Sequence, residues 1–171
     1  MRLAAWMIPA GDDDRVLVIS FHGHAAEKSS LLTEARLMHE LGYAVLLVDF
    51  RGSGESPGSV TTIGYREADD VAAAVIYARR VKPGIRIVLY GHSMGAVAIL
   101  RAIAAGYVEP DGIIIEAVFD TMLNTVRNRF HAMRLPPFPA AEMILFWGGV
   151  QTGCNAFVST LDSGLKSGRR M

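Results

Sequence analysis

Residues Gly91-His92-Ser93-Met94-Gly95 set a serine between two glycines, after the apolar run Ile85-Arg86-Ile87-Val88-Leu89-Tyr90 and before a helical stretch. A serine hydroxyl in water is a weak nucleophile. It attacks a carbonyl carbon where a neighbouring base takes its proton and where fixed donors receive the oxyanion that forms. A strand–serine–helix turn lifts the hydroxyl clear of the sheet and aims the Met94 amide, at the helix start, toward the developing oxyanion. Gly91 and Gly95 leave space for a strained turn and for close helix–strand approach. The pattern points to Ser93 as the nucleophile of an acyl transfer, against the blander reading of a glycine-rich turn without chemistry. His92, inside the turn, suits packing or positioning better than proton abstraction.

His22-Gly23 end an earlier apolar run, where a short loop can offer the His24 amide as a second oxyanion donor. The alternative is a turn stabilised by histidine side-chain bonds. His22 itself reads as structural, bordering the substrate pocket together with Gly23. For the acid and base, Asp120 and His131 preserve a Ser–Asp–His order along the chain. Each also has a plain reading, Asp120 as a helix cap and His131 as an exposed helical residue. Asp162 and His39 have weaker claims. Met122 and Trp147, with Phe130, Met133, Phe138, Met143 and Phe146, either line an acyl pocket or form the core beneath a small cap. Arg51-Gly52-Ser53-Gly54-Glu55-Ser56 lacks the GK[S/T] of a phosphate loop, and no early GxGxxG unit is present. It reads as a tight turn in which Asp49 and Arg51 organise the pocket edge.

The elements that must position these residues alternate. Strands are expected over Leu3–Ile8, Val16–Phe21, Ala44–Phe50, Ile85–Tyr90 and from Ile113 to Ile115. Helices are expected over Ser29–Leu41, Tyr65–Arg80, Met94–Ala105, Thr121–Met133 and Ala140–Trp147. Leu31, Leu32, Ala35 and Leu41 are the expected buried set of the first helix. Ala68, Val71, Ala72, Val75 and Ile76 fill that role in the second. The alternation predicts an α/β fold, a mostly parallel sheet flanked by helices.

The 171 residues suit one main domain, residues 1–157 with a partial cap region, followed by a disordered tail over 158–171. Lysines and arginines balance aspartates and glutamates, and no basic stripe tracks a phosphate backbone, so a nucleic-acid partner is not expected. The lone cysteine, Cys154, excludes an internal disulfide, and no His/Cys/Asp/Glu spacing specifies a metal. No cofactor is expected. Met1–Pro9 is apolar but too short for a membrane span and lacks a signal-cleavage region, so the expected location is cytoplasmic.

On His22-Gly23, Asp49-Phe50-Arg51-Gly52-Ser53-Gly54-Glu55-Ser56 and Gly91-His92-Ser93-Met94-Gly95, the chain resembles the α/β-hydrolase superfamily, in particular its serine-aminopeptidase-like and BEM46-like esterases. The likeness covers most of residues 1–157. It implies a serine hydrolase of small-molecule acyl substrates, foremost carboxylic esters, with Ser93 as nucleophile and the His24 and Met94 amides as oxyanion donors. In such proteins an acid and a histidine follow later core strands, and no residue here matches them. The expected fold is therefore an incomplete α/β-hydrolase, truncated or altered at its carboxyl end, with Asp120 and His131 as substitutes. An open sheet edge would favour a homo-oligomer. Two other readings stay open: a catalytically impaired ligand-binding or interaction module on the same scaffold, and a fragment whose active form needs further sequence.

Overall fold

The computed structural model describes residues 2–10, 15–117 and 122–152. The chain divides into two compact units, Met1–Val118 and Phe119–Met171.

The first unit holds one five-stranded sheet. In chain order its strands are β1 (Ala5–Ile8), β2 (Val16–Phe21), β3 (Ala44–Val48), β4 (Arg86–His92) and β5 (Gly112–Glu116). Their order across the sheet is β1-β3-β2-β4-β5. Strands β2 to β5 are parallel neighbours, and β1 alone runs antiparallel, against β3. A short 3-10 turn (Lys28–Leu31) leads into α1 (Leu32–Glu40), followed by α2 (Glu67–Val81) and α3 (Met94–Ala104).

The continuous apolar runs of β2 and β3 are what a strand covered on both faces requires, and Leu17, Ile19, Phe21, Leu46 and Val48 are buried. Alternate residues serve opposite faces. Leu17, Ile19, Phe21, Leu46 and Leu89 pack with Val71, Val75, Ala98 and Ile99 of α2 and α3. Val18, Val45, Leu47 and Tyr90 pack with Leu31 and Ala35 at the α1 side. Each fully buried Leu, Ile or Phe contributes roughly 1.5–3 kcal/mol relative to exposure. Where α2 meets α3 and the sheet, small residues (Ala68, Ala74, Ala78, Ala98, Ala102) set the contact.

The α/β architecture follows the sequence reading, with the β1 pairing making the sheet mixed. Some burial expectations fail. Leu32, Leu41 and Ile76 are exposed, because the helix periodicity places them just beyond the stripe that the sheet covers. The first expected helix also splits, its opening turn tightening to 3-10 geometry at Lys28, where the chain is tied to Asp49. Trp6 is partly exposed, and the Lys28 ammonium lies 4.6 Å from its ring centroid.

The second unit contains α4 (Met122–Ala132) and α5 (Ala140–Thr152). Arg127 donates from Nε to the Oε1 of Glu142 at 3.0 Å, joining the two helices. Among its described side chains, Ala141 and Leu145 are buried, whereas Met133, Phe138, Met143, Phe146 and Trp147 are exposed. The expected tail, 158–171, lies outside the described residues. Among those described, no helix is long and apolar enough to cross a membrane.

Candidate active site

Ser93 sits between β4 and α3 with φ 50° and ψ −109°. That is a left-handed conformation which a residue bearing a Cβ adopts only under constraint, of order 1–3 kcal/mol above its relaxed form. The constraints are visible on every side. A Cβ on Gly95 would stand 2.3 Å from the Phe21 carbonyl oxygen, and one on Gly91 would stand 2.6 Å from the Ala96 nitrogen. Only glycine lets α3 start this close to β2 and lets the turn fold back on itself. The Ser93 N–H donates to the Glu116 carbonyl at 2.8 Å, so the neighbouring strand holds the turn from the other flank. Ser93 remains partly exposed while Met94, Gly95 and Ala96 are buried. As the first residue of α3, Met94 has an N–H that no preceding helical carbonyl can accept.

The His22-Gly23-His24 segment leaves the end of β2 beside this turn. A Cβ on Gly23 would lie 3.6 Å from the Ser93 Cβ and 3.0 Å from the His92 Nδ1, so the loop backbone runs directly against the serine. His22 is fully buried. The Phe50 N–H donates to its Nε2 at 3.2 Å, which leaves Nδ1–H to donate to the Gly23 carbonyl at 2.7 Å. Burial pushes the His22 pKa down, and the Gly23 carbonyl and the nearby Asp49 charge only partly oppose this. With both nitrogens engaged and the ring neutral, His22 braces the loop from beneath and has no free lone pair for a proton. Its ring meets Phe50 edge-on, and Phe50 stacks on Phe21.

Beyond the loop, Lys28 and Asp49 form a pair buried almost completely. Asp49 Oδ1 accepts the Lys28 backbone N–H at 2.7 Å, and Oδ2 accepts the Lys28 ammonium at 2.6 Å and the Glu55 N–H at 3.0 Å. Lys28 also donates to Glu55 at 2.6 Å. Burial alone would raise the Asp49 pKa, but these donors hold it below the usual carboxylate range. For Lys28, burial works to lower the pKa, and the bonds to Asp49 and Glu55 carry it above the usual lysine value. The pair ties the segment after His24 to the end of β3. Arg51 points its guanidinium at Asp70, with bonds of 2.7 to 3.1 Å from Nε and Nη2. Arg51 is thus paired with the first turn of α2.

With this geometry in view, the kinship is specific. Residues 12–136, well over half of the chain, match the family described as serine aminopeptidase, S33. The chain belongs to this family. Among curated relatives, the uncharacterized protein YfhR of Escherichia coli is 30% identical over 109 residues, which is 61% of this chain and 38% of YfhR. Protein bem46 of Schizosaccharomyces pombe is 24% identical over 119 residues, 69% of this chain and 40% of its own length. Among solved structures, XC6422 of Xanthomonas campestris, an α/β serine hydrolase without lid, superposes with a TM-score of 0.58 at 30% identity, covering 66% of this chain and 54% of that one. The first curated relatives are matched over only 38% to 50% of their length. Family membership places the chain in the α/β-hydrolase superfamily.

Ser93, Met94 and His24, the expected nucleophile and oxyanion donors, all fall just past the carboxyl ends of β4 and β2 in the first unit. His131 lies on α4 of the second unit and is exposed. Met122 opens the same helix, and Trp147 is an exposed residue of α5. Asp120 lies outside the described residues, as do Asp162 and Cys154. His39 is exposed on α1.

Three features of the site were not legible as such. Lys28 reads in sequence as an ordinary surface lysine, and its partner lies 21 residues on. Glu67 opens α2 fully buried, its carboxylate accepting from the Thr61 hydroxyl, from the Thr62 N–H and hydroxyl, and from the Gly64 N–H, at 2.7 to 3.0 Å. The Thr61-Thr62-Ile63-Gly64 string before an acidic helix start was the available signal. Glu116 lies just past the strand expected over Ile113 to Ile115, yet its carbonyl accepts the Ser93 N–H.

Proposed function

We propose that the protein hydrolyses small or medium carboxylic esters through an acyl-enzyme on Ser93. The observation that carries this reading is the constrained serine at φ 50° at the head of α3, with the Gly23 backbone against it. In the proposed cycle a base takes the hydroxyl proton as Oγ attacks the ester carbonyl. The Met94 and His24 amides receive the oxyanion, and the alcohol leaves with the proton. Water, activated by the same base, then releases the acid and frees the serine. His131 as base and Asp120 as its orienting acid are the proposed partners, supplied within one chain or across a homo-oligomer.

A fluorophosphonate should label the wild type and leave Ser93→Ala unlabelled. Hydrolysis of short p-nitrophenyl esters should fall on the order of 10³-fold or more in that variant. Hydrolysis that persists in Ser93→Ala defeats the nucleophile assignment. A second reading is a catalytically impaired binding module on the hydrolase scaffold. A folded wild type that takes no label would favour it.

A further inference from the structure

The two flanks of the Ser93 turn are held by different means. On the β2 side, the loop is fixed by buried bonds to His22 and Asp49. On the β5 side, packing does little, since Ile113 and Ile114 are both exposed, one on each face of the strand. The start of β5 is pinned to β4 by Asp111, whose Oδ2 accepts the Ile87 N–H at 2.7 Å and whose own N–H donates to the Ile87 carbonyl at 2.8 Å. Its far end is pinned by Tyr90, whose hydroxyl donates to Glu116 Oε2 at 2.6 Å. Glu116 is the residue whose backbone carbonyl accepts the Ser93 N–H.

We propose that Tyr90 and Glu116 are a positioning pair for the nucleophile: the phenol–carboxylate bond fixes the end of β5, and the Glu116 carbonyl thereby holds the Ser93 amide and its constrained turn. Neither side chain touches the reacting atoms. Tyr90 is buried, so its donor is fixed in place, and Glu116 is the exposed partner that must be held. Burial first, then the bond to Glu116, then the charges of Glu116 and of Glu34 on α1 keep the phenol protonated, hence always the donor. Glu34 contributes that charge from a carboxylate whose Oε2 is buried and has no hydrogen-bond partner among the described residues. A charge-assisted bond between a buried phenol and a carboxylate is among the stronger side-chain contacts. It also spans the one flank where apolar contact is thin.

The inference rests on Ser93 being the nucleophile, and its test separates the two ideas. Tyr90→Phe removes one oxygen and keeps the packing. Glu116→Ala removes the acceptor, and Glu116→Gln restores an amide oxygen in the same place. Hydrogen exchange read by NMR should show the Ser93 amide exchanging roughly tenfold faster in Tyr90→Phe and Glu116→Ala, with Ile19 and Leu47 unchanged. Fluorophosphonate labelling and kcat for a p-nitrophenyl ester should fall roughly tenfold with KM nearly constant, and Glu116→Gln should recover most of both. Ser93 amide exchange at the wild-type rate in Tyr90→Phe overturns the pair, whatever the activity. A wild type that takes no label, with faster Ser93 exchange in the variants, keeps the pair and removes the nucleophile.

Discussion

The serine turn is bounded by two unlike regions. On the β2–β3 side, His22, Lys28 and Asp49 are buried, and each makes at least two hydrogen bonds, at least one of which joins the loop after β2 to the end of β3. On the β5 side, a five-residue edge strand shows both its isoleucine faces to solvent and is tied down at its ends by Asp111 and by Tyr90–Glu116. The first region is determined many times over, and loss of one contact leaves an uncompensated buried group. The second depends on the β4–β5 backbone ladder and on few side-chain contacts, which are partly open to water. Stability is therefore concentrated on one flank, whereas the geometry of the nucleophile depends on both.

The largest expected effect comes from cutting the buried pair. Asp49→Ala leaves the buried Lys28 ammonium with Glu55 alone and orphans the Lys28 and Glu55 backbone donors, and it should cost about 3–5 kcal/mol in urea unfolding. Lys28→Met should cost less, since Asp49 keeps the Lys28 and Glu55 backbone donors. Equal losses would mean that the backbone bonds contribute nothing.

The next effect is local. Gly95→Ala drives a methyl to 2.3 Å from the Phe21 carbonyl. It should cost about 1–3 kcal/mol or more by overpacking. Fluorophosphonate labelling should be lost while the circular dichroism spectrum is kept, which checks that α3 is displaced without global unfolding.

Acid should act on the buried flank first. The Asp49 and Glu67 pKa values are held low in the fold, against a burial effect that alone would raise them. As the pH falls, the unfolded chain takes up these protons before the folded one does. Their stabilisation is thus complete at neutral pH and is lost as the pH drops from the ordinary carboxylate range, about 4, through the lowered folded values. Lys28 has the opposite sign. Its contribution is full below the ordinary lysine pKa, about 10.4, and is lost as the pH rises through the raised value. Urea midpoints measured in steps from neutral to acid pH should fall in the wild type, and the fall should be shallower in Asp49→Ala.

The smallest effect is on the open flank. Ile113→Thr, on an exposed edge position, should shift unfolding by less than about 0.5 kcal/mol. A loss above about 1.5 kcal/mol would show that this face of β5 is covered in solution.

Much of the first unit could be read directly along the chain. The apolar runs of β2 and β3 mark strands buried on both faces, and the Gly91–Gly95 string between a strand and a helix marks the serine turn. These signals are local: they depend on side-chain period and on backbone space within a few residues. The helix ends were legible to within one or two residues for α2 and α3. Exposure of Leu32, Leu41 and Ile76 was not, because which side of a helix stripe is covered depends on what packs there. The proposed acid and base, Asp120 and His131, lie past β5, where short helical segments and a proline-rich stretch give no strand to place them.

By itself, the sequence determined that a serine would stand at a strand-to-helix turn in an α/β fold, since glycine spacing and apolar period act over short distances. It also pointed to the loop at His22-Gly23 as a neighbour of that turn, since the loops after such strands meet at the carboxyl edge of the sheet. Tertiary structure alone decided that His22 would be a neutral brace, that Lys28 would be buried on Asp49, and that Glu116 would hold the serine amide. Those roles arise between residues about 20 to 30 positions apart. No local pattern encodes such pairings; they exist once the fold brings distant residues together and burial takes water from at least one partner of each.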